Sequence, residues 1–247
     1  MDLIQRLMIL EEDILYQDLP SANEPEFLHL PGNLPVLFSA PHGAEHTRNG
    51  LTKGEDEFTA GFARLAAEMA GAHVLFARRK STTDPNYYDD VPYKETLREV
   101  VRQFRIGFIL DIHGAHASRS FGIELGTMNG QSCPPPFQSR IIQAFLQRGF
   151  YLAQTETASE NHTKNLDWLN INTHFTAGRQ RTVTRFASLE LGIYAAQFEL
   201  NAHLRTAVRR LDAFKKKPFQ GDLARIERTL LAFTDLAQSL AEDFSRA

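Results

Sequence analysis

Two stretches of this chain end apolar runs on groups able to bind a metal or move a proton. Residues 36–40 (Val-Leu-Phe-Ser-Ala) run into Pro41-His42-Gly43-Ala44-Glu45-His46, and Phe108-Ile109-Leu110 runs into Asp111, His113 and His116. Two imidazoles and a carboxylate are a recurring ligand set for catalytic zinc, which keeps a fourth position open to water. His42 and Glu45 supply such a pair in one turn, and His113 arrives from a later strand end. His-x-x-Glu alone is weak, because chance supplies it freely. Its weight comes from the pairing with Asp111-Ile112-His113, where Asp111 either orients an imidazole from behind or points under the sheet. His46 and His116 lie close to the favoured ligands and compete for their roles.

A metal hydrolase also needs a base beside the attacking water. Glu199, in Gln197-Phe198-Glu199-Leu200-Asn201, is the best candidate. An acid inside an apolar strand is costly to bury without a partner or a task. The competing reading pairs it with Arg181, Arg185 or Arg205. Arg79 and Asn86, in the loop after residues 73–77, fall on the same edge of the sheet and suit a developing oxyanion. Arg181 joins them as a substrate-binding candidate. Of the other histidines, His29, His73, His162 and His203 read as surface or core residues. His174 lies in a loop that approaches the site.

These groups need strands that end together. The runs at 36–40, 73–77 and 108–110 alternate with helices over 55–71 and around 97–104, which points to a mainly parallel sheet with right-handed crossovers. In such sheets ligands bind beyond the carboxyl ends of the strands. Further strands are expected at 14–19, 27–30, 121–127, 151–155, 182–186 and 194–200, with a helix near 141–146. Residues 156–181 read as one long polar loop. Two helices close the chain, at 202–214 and 222–244, and the apolar stripe of the second covers the sheet.

The 247 residues, 43% of them hydrophobic, suit one α/β domain over 1–247, with an N-terminal extension at 1–35 and the C-terminal helices in 202–247. A net charge of −3 lacks the basic excess of a nucleic-acid or membrane-surface binder. No stretch approaches the ~20 apolar residues of a membrane span, and residues 1–12 are too charged for a secretory signal. The single cysteine, Cys133, allows no intrachain disulfide and no cysteine-based zinc knuckle, and it reads as structural. A cytoplasmic protein with a small-molecule substrate is expected, and homo-oligomerisation stays open.

The order His-x-x-Glu, Arg79 with Asn86 in Asp-Pro-Asn, Asp-Ile-His and Gln-Phe-Glu resembles the N-formylglutamate amidohydrolase family. That family is related to zinc carboxypeptidases, aspartoacylase and succinylglutamate desuccinylase. The resemblance spans residues 36–203 and implies a single domain with a mixed, mainly parallel sheet flanked by helices. It implies one zinc per chain held by His42, Glu45 and His113, Glu199 activating water, and Arg79 with Asn86 binding substrate or oxyanion. Residues 174–178 (His-Phe-Thr-Ala-Gly) resemble the Pro-Phe-x-Gly-Gly loop before the catalytic strand. Tyr87 follows Asn86 where related enzymes often carry arginine, so one substrate-carboxylate contact is missing or relocated. The activity implied is zinc-dependent hydrolysis of an N-acyl, for example N-formyl, amino acid or a similar small amide bearing a carboxylate. A peptidase of the same fold acting on cell-wall or poly-glutamyl amides is the rival enzyme. An inactive metal-binding protein is the other rival, and the intact Glu199 argues against it.

Overall fold

The apolar runs near 36, 73, 108 and 194 become neighbouring parallel strands. In the computed structural model, which describes residues 1–22, 24–153 and 164–244, they are β2 (Leu34–Ala40), β5 (Ala72–Ala77), β6 (Phe108–Ala115) and β10 (Tyr194–Asn201). Their order is β5-β2-β6-β10. Antiparallel β1 (Phe27–Leu30) extends the sheet beyond β5. On the other side β7 (Phe121–Gly126) runs antiparallel to β10, followed by β9 (Asn165–Ile171) and β8 (Tyr151–Leu152). A separate hairpin pairs β3 (His46–Arg48) with β4 (Leu51–Lys53) through Asn49-Gly50, both at positive φ (51° and 73°), as a two-residue turn of this hand requires.

Strand alternation divides the side chains between two cores. Val36, Phe38, Phe108, Leu110, Ile112, Ala196 and Phe198 face α1 (Leu3–Glu12), α2 (Thr59–Ala70), α4 (Pro135–Gln147) and α6 (Leu223–Phe244). Leu37, Leu75, Ile109 and Ala195 face α3 (Pro92–Phe104) and α5 (Val183–Leu189). Along this second face the strands change character toward their carboxyl ends. Ser39, Asp111, His113, Gln197 and Glu199 continue the alternation that the apolar residues began, and all five are buried. The site is therefore built by strand period, two residues at a time.

Several expectations change. Residues 14–19 form no strand, only an isolated bridge from Leu15 to Arg79. The extension at 1–35 contains α1, whose Leu7 and Leu10 join the core. Residues 182–186 begin a helix instead of a strand: Val183, Phe186 and Ala187 share one helical face, and Thr182 caps it by accepting from Arg185 N at 3.0 Å. Residues 202–214 are not a long helix but a short 3-10 turn, Ala202–Leu204, and an irregular segment held by arginines. Arg205, fully buried, donates to the carbonyls of Glu57, Ala115 and Leu200. The expected loop 156–181 contains β9 in its described part, and the expected strand 151–155 is described only to Ala153. His162 lies outside the described residues. Burial pushes the Cys133 thiol up to about 12, which leaves it inert as a nucleophile. Among the described residues no helix is long and apolar enough to cross a membrane.

The expected helix 55–71 starts late, at Thr59, because Phe58 sits in the left-handed region (φ 65°) and caps nothing with its own side chain. Glu11, from α1, supplies the cap instead. Its carboxylate accepts from Phe58 N at 2.9 Å and Gly61 N at 2.8 Å, and also from the Tyr16 hydroxyl. Burial raises the Glu11 pKa to about 7, against the lowering pull of these hydrogen bonds. A carboxyl whose folded pKa lies above its unfolded value adds most stability below the unfolded value, about pH 4.5, and loses it as pH rises through 7. Glu11→Gln should therefore flatten the fall in unfolding free energy between pH 4.5 and 7.5, a term of about 3 kcal/mol. Urea denaturation of both proteins across that range checks it; parallel pH profiles would count against a buried, titrating Glu11.

Candidate metal centre

His42 leaves the end of β2 in a tight turn. A Cβ on Gly43 would lie 2.5 Å from Ala60 Cβ and 2.7 Å from Ala77 O, so only glycine lets the turn press onto α2 and β5. The same turn holds the segment before α2, with Asp56 N donating to His42 O at 2.8 Å. Here the structure adds Asp56, which in the sequence is one of three consecutive acids, Glu55-Asp56-Glu57, ahead of an apolar helix. Asp56 Oδ2 lies 3.5 Å from His42 Nδ1 and 3.4 Å from His113 Nδ1. One donor atom from each of His42, Asp56 and His113 falls within 4.8 Å of the others, and both histidines are buried.

The far side of each imidazole is engaged. His42 Nε2 is 3.0 Å from Asp84 Oδ1, and His113 Nε2 is 3.0 Å from Asn86 Nδ2 and 3.4 Å from Asp111 Oδ2. Asp84 is fully buried and is also contacted by His46 Nε2 at 3.4 Å, Arg48 at 2.6 Å and Asn86 N at 2.8 Å. Asp111 accepts from Ser39 and Thr184, each at 3.1 Å. Carboxylates behind the imidazoles, leaving Nδ1 free to face a common point, are the arrangement that orients metal-binding histidines. The charges agree. Burial opposes protonation of His42, but hydrogen bonds to Asp56 and Asp84 outweigh it and raise its pKa. His113 is raised further, burial being overcome by Asp111 and Asp56. Burial would raise Asp56 too, yet the two imidazoles hold it well below the carboxylate range. A divalent cation would take the place of the protons that this cluster collects.

Glu45 is not brought to this point. Its carboxylate accepts from Lys80 Nζ at 2.8 Å, and it forms no compact group with His42 and His113. Its backbone is tied to Tyr16 O and Ser81 N and its side chain to Lys80, contacts distant in sequence that the spacing alone did not reveal. His46 and His116 are not at the point either. His46 stacks on His42 (ring centroids 4.1 Å apart) and turns to Asp84, and His116 is exposed beside Ser118.

Glu199 does stand beside the cluster. It is the register partner of His113 on the adjoining parallel strand, so the two side chains share one face of the sheet. Its carboxylate accepts from Gln197 Nε2 at 2.8 Å, while Arg181 and Arg205, considered as its partners, are engaged elsewhere. Burial raises its pKa, partly offset by the His113 charge. Asn86 is also in place. Arg79 is not: it donates to Glu24 at 2.9 Å and lies outside the cleft. Arg181 pairs with Asp89 at 2.8 Å in a neighbouring groove.

No protein-family model and no curated protein sequence matches the chain. Solved structures do. N-formylglutamate amidohydrolase from Ralstonia eutropha JMP134 is similar at a TM-score of 0.58 and 16% identity, over 90% of this chain and 98% of that one. The fold is that of N-formylglutamate amidohydrolase. A gene product from Agrobacterium tumefaciens has the same coverage at a TM-score of 0.55 and 14% identity. The succinylglutamate desuccinylase of Chromobacterium violaceum gives 0.45 at 17% identity, over 96% of this chain and 76% of that one.

In this N-formylglutamate amidohydrolase fold the cleft above the cluster measures about 380 Å³. His42, Asp56, Asn86, His113, Gln197 and Glu199 line one part of it, and residues 174–177 with Arg179, Gln180 and Thr182 line another. That loop is pinned. Glu124, the register partner of Glu199 on β7, accepts from Thr173 N at 2.5 Å and His174 N at 2.9 Å. Met128 N donates to Thr176 O at 2.8 Å, and a Cβ on Gly126 would come within 2.8 Å of Phe175 O. Sequence reasoning missed Asp56, Asp84, Glu124 and Arg179. For Asp84 the signal was present in Asp-Pro-Asn, whose asparagine alone was singled out.

Proposed function

We propose that the protein is a zinc-dependent amidohydrolase that cleaves N-acyl amino acids, N-formyl ones included. The convergence of His42 Nδ1, His113 Nδ1 and the Asp56 carboxylate beside Glu199 carries this reading. Two nitrogens and one oxygen suit zinc, and three protein ligands leave a position open, as catalytic sites do. Zinc in such a site polarises an acyl carbonyl and acidifies water. Glu199 takes the proton of the attacking water. Its raised pKa makes it the stronger base toward that water, and the same carboxyl can then pass the proton to the more basic leaving amine. Gln197 holds one Glu199 oxygen, which fixes the direction of the other. Asn86, anchored by Val183 N at 2.9 Å, presents its amide to His113 at the edge of the cleft.

The likeness in fold to N-formylglutamate amidohydrolase supports this choice over other metal hydrolases. Metal analysis of the purified protein should find about one zinc per chain. The zinc-loaded protein should release formate or acetate from a panel of N-formyl and N-acetyl amino acids. A protein that stays metal-free after zinc supplementation, or a loaded protein inert on the whole panel, would overturn the reading.

A further inference from the structure

We propose that Arg179 anchors an anionic group of the substrate, so that the cleft selects amides carrying a carboxylate away from the scissile bond; this rests on the amidohydrolase reading. Two arginines line the cleft. Arg48 is spent: it donates through Nε and Nη2 to Asp84, each at 2.6 Å, and lies over the Tyr87 ring. Arg179 makes no hydrogen bond or ion pair among the described residues. The other arginines proposed for substrate are likewise engaged, Arg79 with Glu24 and Arg181 with Asp89.

Position as well as charge favours Arg179. Thr182 Oγ1 donates to Ala177 O at 2.6 Å, and Thr176 O accepts from Met128 N, so the exposed tip 178–181 projects between two fixed points. A tethered tip keeps Arg179 at the cleft with no anion among the described residues to satisfy it. A guanidinium binds a carboxylate through two parallel hydrogen bonds, which adds direction to attraction. Glu199 and Asp56 lie in the same cleft, so an anionic substituent is attracted at Arg179 and repelled near the base. That contrast orients the acyl group toward the metal-binding cluster. It also answers the loss at Tyr87: the anionic contact moves from the Asp-Pro-Asn loop to the loop before β10.

The test compares wild type with Arg179→Gln and Arg179→Lys, all zinc-loaded, by formate release from N-formyl-L-glutamate and from its neutral dimethyl ester. The ratio of kcat/KM for the acid to that for the ester should fall about 10- to 100-fold in Arg179→Gln, as loss of one charged hydrogen-bonding partner implies. The fall should appear chiefly in KM, and Arg179→Lys should recover part of it. An unchanged ratio overturns the proposal. Calorimetric titration with glutarate and acetate reads the same contact without turnover. Arg179→Gln should weaken glutarate at least tenfold more than acetate. Equal weakening, or none, overturns the proposal even if no amide is cleaved. Selective loss of glutarate in a protein that cleaves nothing supports Arg179 and counts against the amidohydrolase reading alone.

Discussion

Asp56→Ala should strip the protein of its metal, whereas Glu45→Ala should leave it bound. Both residues are acids near His42 in sequence, and only Asp56 has an oxygen within 3.5 Å of the Nδ1 atoms of both His42 and His113. Glu45 is committed to Lys80. Removing a direct carboxylate ligand should cost more than the ~10- to 100-fold in metal affinity that outer partners of ligands cost. Competition with a chromogenic zinc chelator reads this directly. Glu45→Ala should shift the competition curve little, its damage being confined to stability through the lost Lys80 partner. Folding can be checked by thermal unfolding of the metal-free forms, because Asp56 sits at the cleft wall and its truncation leaves the two cores untouched. Metal loss in Glu45→Ala with retention in Asp56→Ala would restore the His-x-x-Glu assignment and overturn the one drawn from geometry.

That contrast marks how far the sequence could be read. Strand ends were legible because period-two alternation changes chemistry along one face: Ile109 to Asp111 to His113 on β6, and Ala195 to Gln197 to Glu199 on β10. His42, His113, Asn86 and Glu199 therefore came out together. Asp56 did not, because Glu55-Asp56-Glu57 before an apolar helix reads as ordinary first-turn acid. The helix begins only at Thr59, and what delays it is the left-handed backbone at Phe58 and a cap supplied by Glu11, 47 residues away. Neither is visible locally. Arg79 was misplaced for a similar reason. A loop after a strand end can reach the site or turn outward, and Glu24, distant in sequence, decides that it turns outward. The tail 202–214 shows the same limit, since its fold depends on Arg205 finding the carbonyls of three separate segments.

Glu199→Gln should keep the metal and cut kcat by about 10²- to 10⁴-fold, the range for removal of a general base. The substitution preserves volume, so no cavity opens between β6 and β7. The amide oxygen can still accept from Gln197, as the carboxylate does now. What disappears is the capacity to take a proton at a place where burial, against the opposing pull of the His113 charge, has already moved that capacity upward in pH. KM should change little, because Glu199 does not touch the Arg179 loop that would hold the substrate's anionic end. Steady-state kinetics on the best amide substrate, with metal content measured on the same samples, separates the possible roles. Undiminished turnover would exclude Glu199 as the base. Loss of metal would instead make it a ligand, and the base would have to be sought at another group of the cleft. The position of Glu199 favours the first role: it sits one strand away from His113 on the same face of the sheet, while the three donors that meet come from the β2 turn, the segment before α2, and β6.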